Sequence, residues 1–277
     1  MIELELGGTT YDLTHRALVM GILNRTPDSF FDRGATYELE ALLVRAEQLV
    51  DEGADILDVG GVKAGPGDEV SESEELDRVI PAIAAIASRF DVPVSVDTWR
   101  AVVAKEAYAA GAVIGNDISG FGDPAYLTVA AEAHAAVVAT HIRLAPRVRD
   151  PEPVYDDVVT TVADFLTQRA RWARDAGIPD TRIVLDAGLD LGKTAEQSLD
   201  LLRASDVLAS LGLPLLLSAS NKTFLGQLFE LEITDRRDAS IAAAALGISL
   251  GCRVIRVHDV QGTRRVRDVL EAVSRAR

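Results

Sequence analysis

Apolar residues along this chain gather in eight short runs, and each run stops at a polar residue fit for chemistry before a helix-like stretch begins. The first four span 19–23 before Asn24, 56–59 before Gly60 and Gly61, 94–96 before Asp97, and 113–114 before Asn116. The others span 136–140 before His141, 183–185 before Asp186, 213–217 before Ser218, and 254–255 before Arg256 and His258. A continuous apolar run suits a strand of a parallel sheet, because helices cover one face and a packed interior fills the other. Eight βα units predict an α/β fold of the (β/α)8 TIM-barrel class. In that fold the strand ends and βα loops meet at one face, so polar residues scattered in sequence converge.

The intervening helices are legible from period and punctuation. Residues 38–52 carry Leu39, Leu42, Leu43, Ala46 and Leu49 at the spacing of one helix face, and Gly53 stops the run. Further helices are expected over 71–89, 100–110, 126–135, 154–176, 194–211, 239–250 and 262–275. Ser71 and Glu74 have capping-box spacing, and Thr194 is a good capping residue. Gly111, Gly177, Gly212 and Gly251 recur where helices hand over to strands.

Bulk properties narrow the picture further. The 277 residues, 48% hydrophobic, suit one barrel, so 1–277 reads as a single domain. A formal charge of -15 argues against nucleic acid, since phosphate backbones reward clustered Lys and Arg. Most acids fall on helical segments such as 38–52 and 71–89, where a solvated face explains them. No charged stretch followed by an apolar one opens the sequence, and no run approaches the roughly 18 residues of a membrane span, so the cytoplasm is the expected location. The single cysteine, Cys252, excludes an internal disulfide and is expected to be an inert buried thiol.

The polar residues at the strand ends form two chemical groups. Asp97, Asn116 and Asp186, with Lys222 just past a fourth strand, suit a nitrogen heterocycle. A carboxylate can take two N–H donors from a ring amidine, while an amide and a lysine meet ring nitrogen and carbonyl. Asn24, Arg256 and His258 suit a phosphate oxyanion or a metal bound to one. Singly, each has a plainer explanation: Asp97 or Asp186 could cap a helix, and Asn116 could make a turn. The four histidines, His15, His134, His141 and His258, are dispersed in sequence, and no His, Cys and carboxylate cluster suggests a transition metal.

Six motifs carry a resemblance. NRTPDSFFDRG after the first strand, SVDT at the third, NDISG at the fourth, DAGLDLGK at the sixth, SNKTFLG at the seventh and RVHDV at the eighth resemble dihydropteroate synthase in order and spacing. The resemblance implies a pterin-binding barrel of folate synthesis that joins a dihydropterin methyl diphosphate to 4-aminobenzoate and releases pyrophosphate with Mg2+ assistance. It places Asp97, Asn116, Asp186 and Lys222 on the pterin, Arg256 and His258 on the diphosphate, and Asn24 on the metal. Lys222, Arg256 and His258 become the expected catalytic residues. A homodimer, meeting through the last helices, is implied in the same way.

Departures from the family pattern are concentrated in loops. GGESTRPG becomes GGVKAGPG, so Val62, Lys63, Ala64 and Gly65 replace a stretch that supplies a hydroxyl and a guanidinium. The family's Ser-Arg-Lys becomes Ser220, Asn221 and Lys222. Arg25 stands where a small apolar residue is usual, Phe31 and Arg33 alter the same loop, and Ala187, Asp190 and Leu191 replace Pro, Gly and Phe. Losing one donor placed on developing charge typically costs on the order of 10²- to 10³-fold in rate. These changes resemble the second, catalytically deficient paralogue of some bacteria. Three readings follow: a pterin-binding homologue with little or no synthase activity, an active synthase in which Lys63 and Arg25 restore positive charge, or a transferase for another heterocycle or acceptor. Lys63 reads equally well as a solvated loop lysine.

Overall fold

The computed structural model of the chain describes residues 2–26, 38–65 and 67–276. Phe31 and Arg33 lie outside them. The chain starts with an antiparallel hairpin, β1 (Glu3–Leu6) and β2 (Thr9–Asp12). Eight parallel strands then close into a barrel: β3 (Leu18–Asn24), β4 (Ile56–Gly60), β5 (Val94–Asp97), β6 (Ile114–Asp117), β7 (Ala136–Thr140), β8 (Ile183–Asp186), β9 (Leu215–Leu217) and β10 (Cys252–Val257). The ring closes where β10 pairs with β3. The expected fold class is therefore found.

Helices α1 (Leu39–Glu52), α2 (Glu72–Arg89), α3 (Ala101–Ala109), α4 (Tyr126–Glu132) and α5 (Val158–Asp175) cover the first half of the barrel. After them come α6 (Ala195–Arg203), α7 (Ser205–Ala209), α8 (Thr223–Phe229), α9 (Arg237–Ser249) and α10 (Val260–Arg275). Their caps follow local chemistry. Gly53 closes α1 at φ 95, a left-handed conformation that glycine adopts without a side-chain clash. Thr194 and Gln197 form a complete capping box at α6. At α2, Ser71 accepts from the Glu74 N–H, while the Glu74 carboxylate pairs with Arg78 instead.

Two expectations need correction. Residues 194–211 do not form one helix: the chain turns at Ala204, φ −91 and ψ 20, so that α7 can pack on β9 and β10 while α6 packs on α5, α8 and α9. The Ser205 hydroxyl, bonded to the Leu202 carbonyl at 2.8 Å, joins the two pieces. The run 56–59 is not wholly apolar either, because Asp58 sits inside it and is fully buried.

Strand alternation divides the core into two shells. Outward residues such as Val19, Leu57, Val96, Val137, Leu185 and Ile255 pack with the helices. Inward residues Leu18, Met20, Ile56, Ile114, Val138, Val184, Leu216 and Val254 fill the lower barrel together with Leu4, Leu6 and Leu13 of the hairpin segment. The hairpin turns on Gly7 and Gly8, both at positive φ, as a two-residue turn between twisted strands requires. It seals the lower end. Cys252 is buried, and burial pushes its thiol up to about 12, which makes it inert as expected.

Candidate functional site

Strand register builds the upper barrel from polar residues. Asn24 pairs with Gly60, Gly60 with Asp97, and Asp97 with Asn116, while Thr140 pairs with Asp186. Asn24, Asn116, Thr140 and Asp186 each lie an even number of residues beyond an inward apolar position on their own strand, and Asp97 directly follows the outward Val96, so these side chains turn into the barrel. Above them opens a cavity of about 660 Å³ whose lining includes Asn24, Asp97, Lys222, Arg256 and His258. Asn116 and Asp186 are buried at the same barrel end.

Arg256 lies deeper than a rim position. Its Nε donates to Asp58 Oδ2 at 2.6 Å and its Nη2 to Asp97 Oδ2 at 2.7 Å. Asn116 Nδ2 donates to the same Asp58 oxygen at 3.2 Å, and Asp58 Oδ1 is buried without a partner among the described residues. Burial works against the Arg256 charge, but Asp58 and Asp97 outweigh it and raise its pKa. Burial pushes Asp97 up to about 7, with Asp58 and Glu75 adding to the effect and Arg256 opposing it. Asp186 is also raised by burial, against the Gly188 N–H that bonds it at 2.8 Å and the nearby Lys222.

The loop after β8 holds Lys222 in place. Lys222 Nζ donates to the Leu189 carbonyl at 3.0 Å, and the Asp190 carboxylate accepts from the Thr223 and Phe224 N–H groups at the start of α8. Underneath, Lys193 Nζ reaches the Gly188 carbonyl at 2.8 Å, the Leu191 carbonyl at 3.1 Å and His141 Nδ1 at 2.8 Å. Burial lowers Lys193 to about 7 and, with Lys193 adding, lowers His141 to about 3. His141 thus ends a strand but serves packing, edge-on to Phe165 at 4.8 Å, rather than facing the cavity. Arg236 donates to the Asn221 carbonyl at 3.1 Å and the Leu231 carbonyl at 3.1 Å, fixing the loop after β9 while lining the cavity.

On the opposite side, Ser220 Oγ accepts from the His258 N–H at 3.2 Å and lies 3.0 Å from His258 Nδ1. A hydroxyl that accepts from the backbone can give its own proton to Nδ1, which leaves Nε2 as the N–H donor of the neutral ring. Asn24 stands close to Asp97: a Cβ on Gly60 would lie 3.6 Å from Asp97 Oδ2 and 3.7 Å from Asn24 Oδ1. Among the described residues no group of three His, Cys, Asp or Glu side chains could hold a metal ion. One amide oxygen does suit Mg2+ when phosphate and water oxygens supply the other ligands. Lys63 lines the cavity, whereas Arg25 Nη1 donates to the Arg78 carbonyl at 2.6 Å and to the Asp77 carbonyl at 3.4 Å on α2.

Comparison with known proteins decides the family. The model of the pterin binding enzyme family matches residues 20–258. The chain belongs to the dihydropteroate synthase family. It is 43% identical over 95% of its length to the "Inactive dihydropteroate synthase 2" of Mycobacterium leprae, covering 92% of that protein. It is 40% identical over 93% of its length to the dihydropteroate synthase of Bacillus subtilis, covering 89%. Its fold superposes on a Yersinia pestis dihydropteroate synthase, solved as a sulfonamide drug complex, with a TM-score of 0.95, 39% identity and full coverage of both chains.

Set against the dihydropteroate synthase pattern, the altered positions gather around the cavity. Val62, Lys63, Ala64, Gly65, Asp190, Leu191 and Asn221 all line it, while Ala187 is buried away from it. Sequence reading missed Asp58, which hides inside an apolar run, and Arg236, which arrives from a segment without a strand-end signal. An acid in the middle of a parallel strand, two residues from an inward Ile56, was the available clue for Asp58.

Proposed function

We propose that the chain binds a dihydropterin methyl diphosphate and carries weak or no synthase activity. The observation that bears the reading is a division within one cavity. Asp97 and Lys222 line it with Asn116 and Asp186 buried at the same barrel end, whereas the mouth presents Ala64, Gly65 and Asn221 where the family pattern has a hydroxyl and two guanidinium groups. The carboxylates would take the ring N–H donors and Lys222 the ring carbonyl, with Arg256 and His258 meeting the diphosphate. Synthase chemistry breaks the methylene–oxygen bond to diphosphate and forms a methylene–nitrogen bond to the arylamine of 4-aminobenzoate, which then loses a proton. Donors aimed at the leaving oxygens govern such a step, and these are the groups thinned out here. Asn24 would hold Mg2+ together with the diphosphate, and the ion would neutralise leaving-group charge.

Calorimetric titration with the dihydropterin diphosphate, with and without Mg2+, tests the binding half: no heat at millimolar ligand removes the reading. Rescue of a strain that lacks its own synthase would reject the weak-activity half. The second reading, an active synthase, is favoured by Lys63, which lines the cavity and brings a cation to the altered loop. Arg25, docked on α2 carbonyls, gives that reading less support.

A homodimer in the cytoplasm belongs to the same proposal. Leu246 on α9 and Val269 and Val273 on α10 are exposed apolar residues on the last helices. Light scattering on the purified chain tests the assembly, and a monomer at all concentrations would reject it. No helix among the described residues is long and apolar enough to cross a membrane.

A further inference from the structure

The segment between β4 and α2 supplies one wall of the cavity, yet its described residues from Gly61 to Val70 contain no helix or strand. Its backbone carbonyls are held by three arginines from elsewhere in the fold. Arg78 Nη1, on α2, donates to the Gly61 carbonyl at 2.7 Å, and Arg100 Nη2, at the head of α3, donates to the Val70 carbonyl at 2.7 Å. These two fix the ends. The middle is held from across the barrel mouth by Arg147, in the loop between β7 and α5. Its backbone N–H donates to the Ala64 carbonyl at 3.1 Å, Nη1 to the Lys63 carbonyl at 3.3 Å, and Nη2 to the Asp68 carbonyl.

The segment closes around that guanidinium. A Cβ on Gly67 would stand 3.2 Å from Arg147 Nη2 and 3.4 Å from Lys63 Cε. Arg147 itself adopts φ 65, a left-handed conformation that is unfavourable for a non-glycine residue and persists where surrounding contacts over-determine it. A planar fork that spans two carbonyls is a geometry lysine cannot copy.

We propose that Arg147 is the positioning residue of the second-substrate wall, holding the 61–70 segment so that Lys63 meets the anionic group of an arylamine carboxylate at the cavity mouth. This rests on the pterin-and-acceptor reading of the cavity. Ordering a free segment costs conformational entropy at every residue, and an acceptor that had to impose that order would bind correspondingly weakly. Arg147 imposes it beforehand. The ring floor, carried by strands, is independent of this brace.

The test uses the full chain with Arg147→Ala, Arg147→Lys and Lys63→Ala. Hydrogen exchange of the peptide covering 61–70 is measured, together with calorimetric affinity for the dihydropterin diphosphate and for 4-aminobenzoate in the presence of pterin and pyrophosphate. Arg147→Ala is expected to speed exchange in that peptide at least about tenfold, leave pterin affinity within about twofold, and weaken 4-aminobenzoate at least about tenfold, the size of a charge-assisted contact. Lys63→Ala is expected to weaken 4-aminobenzoate alike with exchange unchanged. Should the alanine variant unfold, Arg147→Lys carries the comparison with smaller shifts in the same direction.

Unchanged exchange in the Arg147 variants overturns the brace. Faster exchange with unchanged 4-aminobenzoate affinity, equal loss of pterin affinity, or a parent chain that binds pterin and no 4-aminobenzoate overturns the positioning role. A parent chain that binds no pterin fails the proposed function instead, and the exchange measurement still judges the brace separately.

Discussion

Arg256 and Asp97 form a hydrogen-bonded ion pair at 2.7 Å in the floor of the cavity, so the carboxylate suited to a ring amidine is held by a guanidinium. The same arginine reaches Asp58 at 2.6 Å, and one cation thereby serves two buried acids.

Asp97 gives the site a pH signature. Its folded value of about 7 lies above the ordinary 3.8, burial being the main cause. Between those values the folded chain keeps a proton that the unfolded chain has released, so the contribution of Asp97 to stability falls as pH rises through that window. Asp97→Asn removes this contribution. Urea unfolding at several pH values should show the variant gaining on the parent from about pH 4 to about pH 7, and a constant difference would refute the assignment.

Asp58 is predicted to be a stability residue. Asp58→Ala leaves the buried Asn116 amide without its acceptor while Arg256 keeps Asp97 as counter-charge, which costs about 1–3 kcal/mol. Denaturant unfolding measures this directly. A loss below 1 kcal/mol would mean that the pair is hydrated or rearranged.

Ring and diphosphate recognition should separate by residue. Asp186→Asn is expected to weaken the dihydropterin diphosphate about 10- to 100-fold, as the loss of a charge-assisted pair does, and to leave inorganic pyrophosphate unchanged. His258→Ala should weaken pyrophosphate and spare a pterin that lacks phosphate. Equal effects of both variants on both ligands would contradict the two-part site.

Rebuilding the mouth should raise turnover. Gly65→Arg, made together with Ala64→Thr, has room at its root, because a Cβ at Gly65 meets nothing within 4 Å. Asn221 differs: it adopts φ 58, which asparagine adopts at less cost than arginine, so Asn221→Arg should cost up to roughly 1–2 kcal/mol in stability. Steady-state release of pyrophosphate from the triple variant is expected to exceed that of the parent. A folded triple variant with unchanged turnover would count against the missing wall as the cause of the proposed weak activity.

The barrel was readable because parallel strands buried on both faces leave continuous apolar runs, as at 19–23 and 136–140. The floor was readable because such runs must stop at the functional face, where Asp97, Asn116 and Asp186 stand. Asp58 was hidden by the same logic, since one acid among Ile56, Leu57 and Val59 does not interrupt a strand. The hairpin escaped because Leu4 and Leu6 give too short an alternation to separate from a loop. Helix α8 escaped because Asp190, from another loop, supplies the cap that its own sequence lacks. Distant partners such as Arg147 leave no periodic trace.

The hairpin at the lower end carries a kinetic consequence. With Leu4, Leu6 and Leu13 plugging the lower cylinder, the described residues leave no passage straight through it. Under the proposed function, a ring that settles against Asp97 would therefore enter ahead of any acceptor beside Lys63, and would leave past the same threshold.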